Sequence, residues 1–465
     1  MIGQHCWSRI DAVEDVDLSQ EWAPLLGQLD RHVSSGRLSP DTATLSDLMR
    51  IYQVPGVSIA VGHVSGRVWA TGYGVTGGEA STPVTAGTAF AACSISKHVA
   101  AFGALLLVQD GVLDLDADIS EYLTSWQLLD RAGQPTRVTV RQLLAHTAGL
   151  SDTWYRGYAA DQAPSLLQVL EGGGSTTTAP VRSTLLPRTR FRYSGSHYSV
   201  LQQLMVDVTG TPFEDLMRSL VLEPLAMADS SFDQQFPHQR PHPVARGHHG
   251  GGAGVPGGWR VQPETAAAGL WSTPTDLLRF DLEIARAASG DSKLLSRDLA
   301  TEMWTPQIPG GVYGLGTELA DRAGCRRFGH TGQNVGYTCF SYVWPDSGTA
   351  VAVMTNSEDG WELLASVRAA ADRHYATDVT AEPLGEVAGR YVLRDDYPID
   401  IVVSDGSLTF SAAGQEPVVL LAESGGRYLH PGLDLEVRFV QTDDHHHVLE
   451  LRQEGVTQTA RNQSG

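Results

Sequence analysis

Two short apolar runs near the N-terminal end of the chain predict a pair of strands. Residues 57–61 and 68–72 are mostly hydrophobic, and a Ser-Gly turn separates them. This arrangement is typical of an antiparallel hairpin. A longer apolar stretch, 99–108, follows Ser94 to Lys97 and suits a helix that is buried on most of its faces. The pattern therefore predicts a hairpin followed by a central helix.

Helical periodicity dominates the middle of the chain, from 138 to 285. A stretch rich in Gly, His and Pro, 237–258, interrupts this periodicity and predicts a long loop. Strand patterns return from 325 to 355, and 361–375 predicts a last amphipathic helix. We expect an α+β fold, in which both chain ends build an antiparallel sheet flanked by helices and a helical subdomain is inserted between them.

The period of the pattern becomes two near the C-terminus. Glu382, Pro383 and Gly385 mark a linker, after which short alternating segments are separated by Gly and Asp turns. These features predict a small antiparallel barrel, similar to a lipocalin, over 384–465. The remaining chain divides into an N-terminal extension, 1–40, and a larger main domain, 41–378.

Composition narrows the possible partners. The 465 residues are 42% hydrophobic and 18% charged, with a formal net charge of −20, so nucleic acid and an anionic membrane surface are excluded as partners. A small molecule or short peptide is the expected substrate, and the oligomeric state is left open. The first thirty residues carry no export pattern, and no apolar stretch reaches the roughly 20 residues that span a bilayer. We therefore expect a cytoplasmic protein.

No metal site or cofactor is expected. The four cysteines show no Cys-x-x-Cys spacing, which argues against a zinc site and against a disulfide framework. The pair His248-His249 is adjacent in sequence, and adjacent residues seldom converge on one ion. Reduced thiols are predicted, and Cys93 is interpreted as a small buried residue.

The run Ser94-Ile95-Ser96-Lys97 is the main candidate for chemistry. Residues three apart share one face of a helix, so the Ser94 hydroxyl is expected beside the Lys97 amine. Burial lowers the pKa of a lysine, which can then take a proton from serine. The helix N-terminus would also direct backbone N–H groups toward a nearby oxyanion.

Seven ordered segments, one of which contains this run, carry a family resemblance. They are Pro55 to Val61, Cys93 to Lys97, Val138 to Leu150, Phe191 to Gly195, Glu223 to Met227, Ala268 to Leu277 and Gly329 to Gly332. The chain resembles the serine β-lactamase-like superfamily, which includes class C β-lactamases, D-aminopeptidases, carboxylesterases, and thioesterases and transacylases of the penicillin-binding type.

The resemblance implies roles for further residues. Tyr193 would serve with Lys97 as general base and later return a proton, and His330 would polarise the Tyr193 hydroxyl. The backbone N–H groups of Ser94 and Gln333 would form the oxyanion hole. The substrate-binding residues would be Gly195, Thr331, Gly332 and Trp271. His146 would have a structural role at a helix end.

Two departures from the family pattern affect the expected chemistry. Gly195 stands where the family usually has Asn, and His330 stands where most β-lactamases have Lys. Both departures argue against β-lactam hydrolysis. The predicted function is therefore a serine hydrolase or acyl-transferase that forms an acyl-enzyme on Ser94 with an ester, thioester or amide.

Two alternatives stay open at this point. One is a transacylase or macrocyclising thioesterase of natural-product biosynthesis, in which an amine resolves the acyl-enzyme. The other is a catalytically inactive binding homologue, which the retention of Ser94, Lys97 and Tyr193 disfavours.

Overall fold

The structure, a computed structural model, describes most of the chain from residue 45 onward. The described residues are 45–151, 153–240, 242–322, 325–375, 387–394, 397–404, 407–413, 415, 417–423, 427–430, 435–441, 447–453 and 456–462. The predicted extension, 1–40, and the predicted linker residues lie outside them. The described chain divides into two compact units. One holds Leu45–Ala320 and Arg327–Leu364, and the other holds Asp321–Arg326 and the described residues from Ala365 onward.

Eleven helices are formed by the described residues. They are α1 (Leu45–Ile51), α2 (Ile95–Gln109), α3 (Val140–Leu144), α4 (Leu166–Glu171), α5 (Gly195–Thr209), α6 (Phe213–Met217), α7 (Phe236–Gln239), α8 (Thr265–Ala268), α9 (Pro274–Ser289), α10 (Arg297–Met303) and α11 (Trp361–Tyr375). None of them is both long and apolar enough to cross a membrane.

One six-stranded sheet runs in the order β2-β1-β8-β7-β6-β5. Its strands are β1 (Gly56–His63), β2 (Val68–Gly74), β5 (Glu318–Arg322), β6 (Cys325–Asn334), β7 (Tyr337–Trp344) and β8 (Thr349–Thr355). A second, two-stranded sheet joins β3 (Phe90–Ala91) to β4 (Trp271–Ser272).

The sheet is assembled from both ends of the first unit, as the strand pattern predicts. β1 pairs antiparallel with β2 and also with β8, where Val57 lies opposite Thr355. β6 is longer than predicted, because it continues past Phe328 through His330 to Asn334 and pairs with β7. The α+β arrangement with an inserted helical block is therefore confirmed.

Helix α9 covers one face of this sheet. It packs against β1, β7 and β8, and its buried residues include Leu277 and Phe280. Thr273 caps its N-terminus by accepting from the N–H of Asp276, and Gly290 ends it with a positive φ of 86°. These signals explain why the sequence forms a helix at this position.

Helix α2 is the central helix of the first unit. Every residue from Ile95 to Leu107 is buried, and the helix contacts α5 and α8. Its continuous apolar sequence reflects packing on all sides rather than a surface position. The predicted central helix is confirmed.

The C-terminal strands form an antiparallel sheet that curls into a closed barrel, in the order β10-β11-β12-β13-β14-β15-β16-β9. They are β9 (Gly389–Arg394), β10 (Tyr397–Ser404), β11 (Ser407–Ala412), β12 (Val418–Glu423), β13 (Arg427–His430), β14 (Leu435–Gln441), β15 (His447–Gln453) and β16 (Val456–Asn462). A short pairing closes the barrel, with Arg461 opposite Val392 and Asn462 opposite Tyr391. Alternate residues such as Ile399 fill the interior.

Candidate active site

Ser94 lies at the N-cap of α2, directly after a residue with unusual backbone geometry. Cys93 has a φ of +53°, a left-handed conformation that is uncommon for a residue other than glycine. The Ser96 hydroxyl donates to the Cys93 carbonyl and accepts from the N–H of Leu270 at 2.9 Å. The sharp turn and these two hydrogen bonds hold Ser94 at the start of the helix.

Lys97 lies beside Ser94, as the spacing of three residues predicts. Its Nζ is 3.0 Å from the Ser94 Oγ and donates to the carbonyl of Ala267 at 2.7 Å. The side chain is buried, and this burial lowers the pKa of Lys97 to about 7 against the opposing effects of Cys93 and Glu318. A large fraction of the amine is therefore neutral near pH 7 and able to accept a proton.

Tyr193 completes a group of three around the Ser94 hydroxyl. Lys97 Nζ lies 5.0 Å from the centre of the Tyr193 ring. Burial raises the pKa of Tyr193 well above its usual range, while a hydrogen bond with Ser94 acts in the opposite direction. Because the phenol keeps its proton at neutral pH, Lys97 rather than Tyr193 is the group suited to accept the Ser94 proton.

His146 holds the segment that carries Tyr193. The N–H of Arg192 donates to the His146 carbonyl at 2.9 Å, and the N–H of Ser194 donates to its Nδ1 at 3.3 Å. The imidazole also packs on the Tyr193 ring, with 4.4 Å between ring centres. Burial lowers the pKa of His146 well below its usual range, so the ring is neutral. These contacts fit the structural role that the resemblance implies.

His330 contacts a different tyrosine from the one expected. Its Nε2 is 2.9 Å from the hydroxyl of Tyr313, whereas its ring centre lies 6.0 Å from that of Tyr193. Nε2 is thus directed at Tyr313, and polarisation of the Tyr193 hydroxyl by His330 stays a prediction. Burial lowers the pKa of His330 to about 4, although Glu318 opposes this effect.

The rest of the His-Thr-Gly strand lies against the start of α2. A Cβ atom on Gly332 would lie 2.8 Å from the Cβ of Cys93 and 2.9 Å from the carbonyl oxygen of Ala92. This close approach of β6 to the residues that precede Ser94 requires glycine. The Thr331 hydroxyl donates to Glu318 at 2.7 Å. The assigned roles of Gln333, Thr331 and Gly332 in binding remain predictions.

Gly195 begins α5, and an aromatic ring fills the space beside it. A Cβ atom at this position would lie 2.8 Å from Cδ2 of Tyr155 and would overlap the neighbouring Cε2. The Tyr155 hydroxyl is 2.8 Å from the Ser199 Oγ, which fixes the ring. Tyr155 thus occupies the place where the family's Asn side chain would begin.

Trp271 lies on β4 and is buried. It is only 2% exposed and packs edge-on against Trp259 and Tyr337, with ring centres 5.6 and 5.9 Å apart. Direct contact of Trp271 with a substrate stays a prediction. Trp154, in contrast, is 60% exposed.

Two residues near the site belong to none of the sequence motifs. Glu318 and Tyr313 precede His330 by more than ten residues, yet both contact it. No spacing rule connects them with His330. Only the pairing of β5 with β6 and the fold of the preceding loop bring them together.

Similarity to known proteins agrees with this geometry. The Beta-lactamase family model matches residues 42–375. Penicillin-binding protein 4 from Amycolatopsis lactamdurans is 26% identical over 358 residues, which cover 73% of this chain and 87% of that protein. A D-aminopeptidase from Brucella canis is 23% identical over 309 residues, which cover 66% of this chain and 57% of that protein.

Solved structures share the fold at similar sequence identity. An octameric penicillin-binding protein homologue from Pyrococcus abyssi has a TM-score of 0.60 at 22% identity and covers 90% of this chain and 98% of its own. SurE with D-Leu has a TM-score of 0.56 at 24% identity, covering 90% and 97%. D-amino acid amidase from Ochrobactrum anthropi SV3 has a TM-score of 0.57 at 24% identity, covering 75% and 98%. Since the family model spans most of the chain, this protein belongs to the beta-lactamase family.

Proposed function

We propose that this protein is a serine hydrolase that forms an acyl-enzyme on Ser94 with small amide or ester substrates derived from D-amino acids. The observation that carries the proposal is the 3.0 Å separation between Ser94 Oγ and the buried Lys97 Nζ. A nucleophile beside a base of lowered pKa is the arrangement that covalent catalysis requires. The cytoplasmic location and the lipocalin-like nature of the barrel remain predictions.

Acylation begins with Lys97. The neutral amine takes the Ser94 hydroxyl proton as Oγ forms a bond with the substrate carbonyl carbon. The carbonyl oxygen becomes an oxyanion, which the backbone N–H groups of Ser94 and Gln333 stabilise in this proposal. The Ala267 carbonyl accepts a hydrogen bond from Lys97 and keeps Nζ directed toward Ser94.

Tyr193 supplies the proton that the leaving group needs. The phenol keeps its proton because burial raises its pKa, and it interacts with the same Oγ that Lys97 contacts. When the carbon–leaving-group bond breaks, the amine or alkoxide takes the Tyr193 proton, and the Lys97 ammonium restores it. Water then attacks the acyl carbon as neutral Lys97 takes one of its protons. That proton passes to Ser94 Oγ when the bond between Oγ and the acyl carbon breaks, which releases the acid and free Ser94.

The choice of D-amino acid substrates rests on the named relatives. A D-aminopeptidase and a D-amino acid amidase are among the proteins that the chain resembles. The chain itself provides one further constraint, since the Tyr155 ring replaces an amide side chain at Gly195. The site therefore lacks one hydrogen-bond partner for an acylamino group, which favours donors without such a group over β-lactams.

Intact mass spectrometry tests the proposal. The wild type and Ser94→Ala are incubated with D- and L-amino acid amides, the matching esters and thioesters, and a β-lactam. We expect an acyl adduct on the wild type with D-configured donors and none on Ser94→Ala. An adduct of the same mass on both proteins would overturn the assignment of Ser94.

The same experiment separates the alternatives. Adding a primary amine gives an amide product if the enzyme is a transacylase, and leaves hydrolysis dominant if water is the natural acceptor. No adduct and no turnover across the whole panel, with folded protein, would instead support an inactive binding homologue.

A further inference from the structure

Glu318 is a half-buried carboxylate that neither the motifs nor the proposed mechanism uses. Its Oε1 accepts from the Thr331 hydroxyl at 2.7 Å, and its Oε2 accepts from the Thr331 N–H at 3.1 Å and from the Tyr342 hydroxyl. Oε1 also lies 3.4 Å from Nδ1 of His330. A carboxylate has about four acceptor positions, and three of them take these hydrogen bonds while Oε1 also faces His330. Glu318 is therefore better suited to act on His330 than to bind a substrate cation.

The surroundings of His330 determine which ring nitrogen carries the proton. Nδ1 faces two acceptors, the Thr331 carbonyl and Glu318 Oε1. Nε2 faces the Tyr313 hydroxyl, which is able to donate. Since burial lowers the pKa of His330 to about 4, the ring is neutral at physiological pH. The neutral form that satisfies both nitrogens has hydrogen on Nδ1 and a lone pair on Nε2.

Glu318 also differs in charge from the other groups that face Lys97. Burial lowers the pKa of His146, His197 and His330, so these imidazoles are neutral.

Two further neighbours of Lys97 are the phenol of Tyr193, whose pKa burial raises, and the thiol of Cys93. Burial acts to raise the pKa of Glu318, but the hydrogen bonds from Tyr342 and Thr331 act in the opposite direction, and the pKa is lowered. Glu318 is thus an ionised carboxylate close to the site: its Oε1 lies 3.4 Å from His330, whose ring centre is 6.0 Å from that of Tyr193. Lys97 Nζ lies 5.0 Å from the centre of the same Tyr193 ring, and Lys97 must change its charge during catalysis.

We propose that Glu318 and Tyr313 are positioning residues of this site. As the first part of this proposal, they hold His330 as the neutral tautomer with hydrogen on Nδ1. As the second part, the negative charge of Glu318 stabilises the Lys97 ammonium. The second part rests on the proposed function, because its readout is acylation through Lys97. The first part does not, because the tautomer is measurable without substrate.

Substitution of Glu318 tests the effect on Lys97. Glu318→Gln keeps the size and one acceptor oxygen but removes the charge, so the Lys97 ammonium loses a favourable neighbour. We expect the acidic limb of the pH–rate profile for acylation to move to lower pH by roughly 0.5 to 1 pH unit. Tyr342→Phe is the matched control, because it removes a hydrogen bond from Glu318 and keeps the charge. An acidic limb that stays in place or moves upward in Glu318→Gln would overturn this part.

Nitrogen NMR of the wild type tests the tautomer. In protein labelled with ¹⁵N-histidine, the His330 signals are identified by their loss in His330→Gln. We expect Nδ1 to show the shift of a protonated ring nitrogen and Nε2 that of an unprotonated one. The opposite pattern would overturn the proposed arrangement. If no acyl adduct ever forms, the proposed function fails while this measurement still decides the tautomer.

Discussion

The ring of Tyr155 packs directly against Gly195, in the space where a side chain at that position would begin. Tyr155 is buried, and its hydroxyl is anchored 2.8 Å from the Ser199 Oγ. Any residue larger than glycine at 195 must displace this ring. The absence of the family's Asn is therefore matched by a specific packing partner.

Gly195→Ala is predicted to destabilise the protein through this contact. Overpacking of a well-packed site typically costs 1–3 kcal/mol, so we expect a loss of about that size in the free energy of unfolding. Tyr155→Ala removes the ring, and Gly195→Ala should then cost much less. A double-mutant cycle by denaturant unfolding measures this coupling. Equal costs in the two backgrounds would show that Tyr155 does not set the requirement for glycine.

The pH dependence of acylation is predicted to follow Lys97. Below pH 7 the amine is protonated and cannot accept the Ser94 proton, so kcat/KM should fall as the pH falls through about 7. Lys97→Met should lower kcat/KM by roughly 10²–10⁴-fold, and its residual activity should not fall with pH near 7. If kcat/KM of the wild type instead fell only near the pKa of an ordinary carboxyl group, Lys97 would not be the base.

His146 is predicted to support catalysis by holding Tyr193. His146→Leu keeps the backbone carbonyl but removes the Nδ1 acceptor of the Ser194 N–H. It also places a branched side chain at a φ of +55°. We expect a loss of acylation rate of about 10²-fold, the size that a small misplacement of a catalytic group produces.

Asparagine provides the matched comparison at this position. It tolerates a positive φ and offers a side-chain oxygen as acceptor, so His146→Asn should keep more of the rate than His146→Leu. Single-turnover acylation and thermal unfolding separate the effect on Tyr193 from a general loss of stability. If both variants remain folded and lose acylation activity equally, a side-chain acceptor for the Ser194 N–H at position 146 is not required for catalysis.

Gly332→Ala is predicted to disturb the oxyanion site. The added Cβ would lie 2.7 Å from the Cys339 Sγ and 2.9 Å from the Ala92 carbonyl oxygen, so β6 must move away from the start of α2. Loss of one oxyanion donor typically costs 10²–10³-fold, and we expect a fall in kcat of roughly that size. Gly254→Ala, which meets no atom within 4 Å, is the control and should leave kcat unchanged. A full rate in Gly332→Ala would show that Gln333 is not an oxyanion donor.

Much of this molecule follows from local rules. The hairpin of β1 and β2, the central helix α2 and the strands β7 and β8 were all predictable, because periodicity reports which face of an element is buried. The proximity of Ser94 and Lys97 was equally predictable, since three residues separate them on one helix.

Tertiary packing decided the rest. It directs His330 to Tyr313 and places Glu318 beside His330. It also buries Trp271 among aromatic rings and fills the space at Gly195 with Tyr155. Each of these contacts joins residues from different elements whose separation along the chain follows no helical or strand period. The sequence alone thus determined the nucleophile and its neighbouring amine through helix geometry. The groups that surround Ser94 and Lys97, and the charges of those groups, depend on how distant strands and loops pack together.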